Sequence, residues 1–127
     1  MDKEELEEFI AKTTREDMHV VACKIMGYVY FCDREGRPFD REKVSAELLE
    51  IPKSYHELVV FELETEKYLR NEQTQPASRF GKKLPARLTP HATLAGVFYL
   101  KYEKSAQDAI EKIRRTSPAF APYFDGI

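Results

Sequence analysis

The apolar positions of this chain fall into six runs ahead of an aperiodic tail, and the spacing within each predicts an element. In DKEELEEFIAK, Leu6, Phe9 and Ile10 share one helical face and four glutamates surround the rest. Acids at a helix start also suit its dipole. A short amphipathic helix docking through a narrow stripe is expected there. The next run, MHVVACKIMGYVYFCD, is rich in Val, Ile, Tyr and Phe. Val21, Cys23, Ile25, Val29 and Phe31 alternate with Val20, Ala22, Met26, Tyr28 and Tyr30, so both faces are mostly apolar. That pattern predicts a strand covered on both sides, bent or split at Gly27. A turn at Arg34-Glu35-Gly36-Arg37 follows.

Asp40 is a candidate N-cap for a helix from Arg41 to about Glu50, with Val44, Leu48 and Ile51 at helical spacing and Pro52 as its stop. YHELVVFELE predicts a strand with Val59, Phe61 and Leu63 inward. TLAGVFYLKYEK predicts another, with Leu94, Phe98, Leu100 and Tyr102 on one face. Ser105 then opens an S-x-x-D start to a last helix, whose buried face is Ala106, Ala109, Ile110 and Ile113. Lys112, Arg114 and Arg115 fall in its final turn, and Pro118 ends it. The tail PAFAPYFDGI is apolar and aperiodic.

The order α, β, α, β, long loop, β, α predicts an α+β fold with a single antiparallel-rich sheet flanked by two to three helices. At that level it is similar to the small sensor and adaptor folds of the roadblock, longin and PAS-like groups, with a ferredoxin-like arrangement as the alternative. No residue motif ties the chain to any of them. Its 127 residues suit one domain over 1–127, with a basic loop at about 71–91 and an apolar tail at 118–127. A composition of 43% hydrophobic and 12% aromatic residues is that of a globular chain.

Charge adds an asymmetry. Residues 1–75 hold 11 Lys and Arg against 18 Asp and Glu, a balance of −7, whereas residues 76–127 hold 9 against 4, a balance of +5. The densest basic part is QTQPASRFGKKLPARLTPHATL, residues 73–94, which has no acid. There Arg79, Lys82, Lys83 and Arg87 surround Phe80 and Leu84, with His91 downstream. Cations interleaved with an aromatic ring can neutralise phosphates and stack a base. The same residues can equally contact a protein partner.

Catalytic signals are sparse. His91-Ala92-Thr93 resembles one of the two H-x-[ST] elements of the 2H phosphoesterases, in which imidazole does acid-base work and the hydroxyl binds phosphate. The second element is missing, because Val-Val follows His19 and Glu-Leu follows His56. Cys23 and Cys32 lie in an apolar run and read as buried thiols. Metal-ligand spacings and phosphate-loop glycines are missing, so neither metal nor cofactor is expected. The acidic start MDKEELEEF is the opposite of a targeting peptide, and no apolar run approaches the ~18 residues of a membrane span. Those features predict a cytoplasmic protein without membrane contact.

The leading expectation is a non-catalytic binding, adaptor or regulatory domain that self-associates, with Phe120, Tyr123 and Phe124 as oligomer contacts. An anion- or RNA-binding domain using residues 79–87 is the alternative. A small phosphoester-acting enzyme built on His91 and Thr93 ranks last.

Overall fold

The computed structural model describes residues 3–4, 15–74 and 87–127. Most of the expected N-terminal helix, and Arg79, Phe80, Lys82 and Lys83, lie outside the described residues. The architecture is α+β, but the helices carry the core. Helix α1 spans Arg15–Glu35, a 3-10 turn Arg41–Val44, and helix α2 Lys53–Thr65. Strands β1 (Leu69–Thr74) and β2 (Arg87–Ala92) pair antiparallel. Helices α3 (Leu94–Tyr102) and α4 (Lys104–Thr116) follow, and a second 3-10 turn, Ala121–Phe124, closes the chain.

Three expected strands are helices. The run 18–33 lies within α1, which packs against α2, α3, α4, β2 and both 3-10 turns. Every residue from Val21 to Val29 except Lys24 is buried. A helix sheathed on all sides has no polar face, so its 3.6-residue period is invisible and alternation fits by default. Length was the usable signal, since sixteen residues exceed an ordinary strand. The run 55–64 is α2, whose buried Tyr55, Val59 and Leu63 recur every fourth residue. The run 93–104 is mainly α3, which buries Gly96, Tyr99 and Leu100 and leaves Leu94, Phe98 and Tyr102 exposed. The expected core face is therefore mostly the outer face.

The expected loop at 71–91 is a β-hairpin at both ends, with Leu69 opposite Ala92 and Thr74 opposite Arg87. Polar LRNEQT and RLTPHA lack the apolar alternation of a half-buried strand, which hid them. Pro90 is tolerated because a two-stranded sheet is all edge.

Other expectations hold. Asp40 caps the segment after it, its carboxylate accepting from the Glu42 amide at 3.1 Å. That segment is shorter than a full helix and continues past Val44 as turns, with Glu50 at φ 57. Gly36 takes φ 64 in the predicted turn. Helix α4 buries the four expected residues, although Glu103 rather than Ser105 is its N-cap and no side chain caps it. Both cysteines are buried and free, and burial pushes the Cys23 thiol up to about 12, which leaves it no thiolate at neutral pH.

The tail packs on its own domain. Phe124 is fully buried and Phe120 nearly so. Arg114 donates to the Phe124 carbonyl at 2.9 Å, and Arg34 to that of Asp125 at 2.6 Å. Two glycines admit these contacts. A Cβ on Gly27 would come within 2.4 Å of the Phe124 ring, and one on Gly96 within 2.1 Å of the Tyr68 carbonyl oxygen.

Backbone cannot yield as a ring can. Gly96→Ala is therefore expected to lower stability by about 1–3 kcal/mol, although alanine is the better helix former. The urea midpoint measures it. A midpoint that rises would show that α3 is not seated on the start of β1.

Candidate functional site

The strand pair, or arm, packs against α1 through β2, and its root is tied on two sides. His91 lies near the end of β2 and reaches two carboxylates. Its Nδ1 is 2.7 Å from Asp33 Oδ1 on α1, and its Nε2 is 3.0 Å from Glu72 Oε2 on β1. The second Asp33 oxygen accepts from the Ala92 amide at 2.9 Å. Glu72 pairs with Thr89 in the register, so it meets His91 diagonally across the strands. On the other side, Asn71 donates to Glu64 of α2 at 2.5 Å.

The hydrogen bond to Asp33 raises the His91 pKa above 6.5, and its charge and that of Glu72 add to the effect against the opposing cost of burial. Protonated, the imidazole donates from both nitrogens, one to each carboxylate. The ring is about one-quarter exposed, so water weakens but does not abolish the pairing.

Ahead of the arm, two helical segments meet at a tight turn. The first is the 3-10 turn Arg41–Val44, which runs on as turns to Glu50, and the second is α2, entered through Pro52. His56 of α2 holds them together, its Nε2 lying 2.7 Å from the Val44 carbonyl oxygen. Between this pair and the arm runs a cleft of about 500 Å³, walled by Phe39, Arg41, Val60, Phe61 and Pro90. Phe61 is 62% exposed at its edge. Glu57 and Glu64 are exposed on the side of α2 that faces this cleft and Glu62 on the opposite side, with Lys53 the one cation of the helix. Basic side chains lie around it instead: Arg37, Arg41, Lys43 and Arg70 are all exposed.

The residues expected to act together are thus separated in part. Arg87 opens β2 and His91 lies near its end, while the other cations of the basic stretch belong to the segment that joins the two strands. The Thr93 side chain is engaged at the start of α3. Its hydroxyl caps α3, accepting from the Gly96 amide at 3.0 Å and donating to the Lys67 carbonyl. Tyr123 packs its ring 5.0 Å from those of both Tyr28 and Phe31. Asp33 and Glu72 carry no sequence signal as partners of His91, because one is 58 residues away and the other depends on a hairpin register. Among the described residues no group of three or more His, Cys, Asp or Glu is placed to hold a metal ion. Among them, too, no helix is long and apolar enough to cross a membrane.

Comparison of the chain with protein-family models, with curated proteins and with solved structures returned no match.

The His91 pairs make stability depend on pH with a definite sign. Because the folded pKa is raised, their contribution is complete below the unfolded value near 6.5 and is lost as pH rises through the folded value. The urea midpoint of the protein should therefore fall across that window relative to His91→Asn, in which the difference disappears. A His91 imidazole that titrates at or below 6.5 by NMR would contradict the assignment.

Proposed function

We propose that this domain binds duplex DNA, with the hairpin arm leading the contact. One observation carries the reading. The strand pair follows α2 at once, and the segment joining its strands brings Arg79, Lys82 and Lys83, next to Arg87, with no acid among them. Cations in such a run neutralise phosphates. Charge decides how the parts are used: Glu57 and Glu64 on the cleft side of α2 repel phosphate, whereas the basic stretch and the exposed Arg41, Lys43 and Arg70 attract it. Backbone contact through the arm supplies affinity and carries little sequence information. The clamp of Asp33, His91 and Glu72 holds the arm at a defined angle to the core.

Replacing Arg79, Lys82, Lys83 and Arg87 together by Gln should weaken binding to a duplex oligonucleotide at least tenfold at about 0.1 M salt. It should also reduce the slope of log K against log salt by about 3–4, or roughly 0.9 for each phosphate that is no longer neutralised. Fluorescence anisotropy over a salt series reads both. Equal binding by the variant removes the reading, and preference for single-stranded RNA of the same length would move it to that ligand.

A second reading, self-association or contact with a protein partner, rests on α3. Leu94, Phe98 and Tyr102 lie at i, i+4 and i+8 and are 70%, 50% and 74% exposed. Phe120 and Phe124 are used inside their own chain, so this stripe is the better contact surface. If it joins two copies, Phe98→Glu shifts the sedimenting species from dimer to monomer without lowering the urea midpoint of the monomer by more than about 0.5 kcal/mol equivalent. A wild-type protein that sediments as a monomer at high concentration removes that reading.

A further inference from the structure

The opposite face of α2 from the arm borders a second cavity, of about 470 Å³, within the size range of small-molecule sites. At about 100° per residue, Leu58, Val59, Glu62 and Leu63 point away from Glu57, Phe61 and Glu64, which face the cleft beside the arm. Helix α1 supplies the cavity floor through Ala22, and Val59 and Leu63 complete it. One wall is aromatic: Tyr68 stacks on Tyr99 with ring centroids 4.6 Å apart and planes 17° from parallel. His19, which also lines the cavity, lies with its Nδ1 2.5 Å from the Tyr99 hydroxyl and its ring 6.0 Å from that of Tyr99, so it fixes the stack from the side of α1. Burial pushes the Tyr99 phenol far up, and it stays neutral.

The mouth is acidic. Glu62, Glu66 and Glu103 are exposed around it, and no Lys or Arg is among the described lining residues. Glu66 and Glu103 both act on Tyr68, adding to the burial that raises its pKa, so their fields converge on the aromatic wall. A negative rim over an apolar floor and a π face selects for positive charge carried on an apolar body. An anion meets repulsion there, and a neutral ligand gains from the floor alone.

We propose that this cavity binds an organic cation, an amine or quaternary ammonium bearing one ring or short alkyl group, with the cationic head between Glu62 and Glu103 and the apolar part against Tyr68. This site is separate from the arm and does not require that the domain bind DNA.

Benzyltrimethylammonium, benzyl alcohol and benzoate are suitable probes, titrated into the whole protein without nucleic acid and followed through the Tyr68 and Tyr99 ring resonances by NMR. The cation should bind about tenfold more tightly than the alcohol, and benzoate should leave the rings unshifted. In the double variant Glu62→Gln and Glu103→Gln, both surface changes, the preference for the cation should fall to about twofold or less while the circular dichroism spectrum is unchanged. Three results would overturn the proposal: equal binding of cation and alcohol, an undiminished preference in the variant, or shifts at rings other than His19, Tyr68 and Tyr99. If the variant fails to fold, Glu66→Gln alone, at the exposed end of α2, must still reduce the preference.

Discussion

Complete burial of the middle of α1 is the constraint on which everything else depends. From Val21 to Val29 the helix has no solvent face, with Lys24 half-buried among buried neighbours. Fully burying a Val, Ile or Met side chain contributes roughly 1.5–3 kcal/mol, so this stretch dominates the core. The other helices, β2 and both 3-10 turns each cover part of the helix. The two glycines mark where covers approach most closely, Gly27 beneath Phe124 and Gly96 against Tyr68 above Met26. Helix α1 also carries Asp33 near its C-terminus, which extends the same scaffold to the root of the arm.

An arm of polar residues cannot hold itself to a core by hydrophobic contact. Of β1, Leu69 is buried, whereas Arg70, Asn71 and Glu72 are exposed. Charge-assisted hydrogen bonds from His91 to Asp33 and Glu72, and from Asn71 to Glu64, take over that work. They fix the strand pair against the ends of α1 and α2. The division of charge between the two halves of the chain follows the same plan. Acids gather on the helices around the second cavity and on α2, and cations on the arm and beside it.

Much of this was legible in the chain, but unevenly. Helix α4 was read correctly because it is amphipathic, with one apolar stripe against a charged face. The Asp40 cap and the Gly36 turn were read from local chemistry that needs no partner. The three misread segments share one cause: each holds apolar residues at most positions, and a period shows only where polar residues interrupt it. In α3, Leu94, Phe98 and Tyr102 are apolar but face outward, which reverses the usual rule and has no local signature. The hairpin was missed for the opposite reason, since its strands are too polar to look like strands.

The sequence by itself determined the segments whose structure is decided within a few residues: caps, turns, the amphipathic last helix, buried thiols, and a basic stretch free of acids. Tertiary structure alone decided which helix is central, that Leu69–Thr74 and Arg87–Ala92 pair, and that His91 sits between carboxylates 58 and 19 residues away. It also decided that acids from α2 and from the start of α4 meet around one aromatic wall. Local preferences act through neighbouring backbone and side chains, whereas these juxtapositions depend on which apolar faces cover one another, and many arrangements of the same segments would bury similar area.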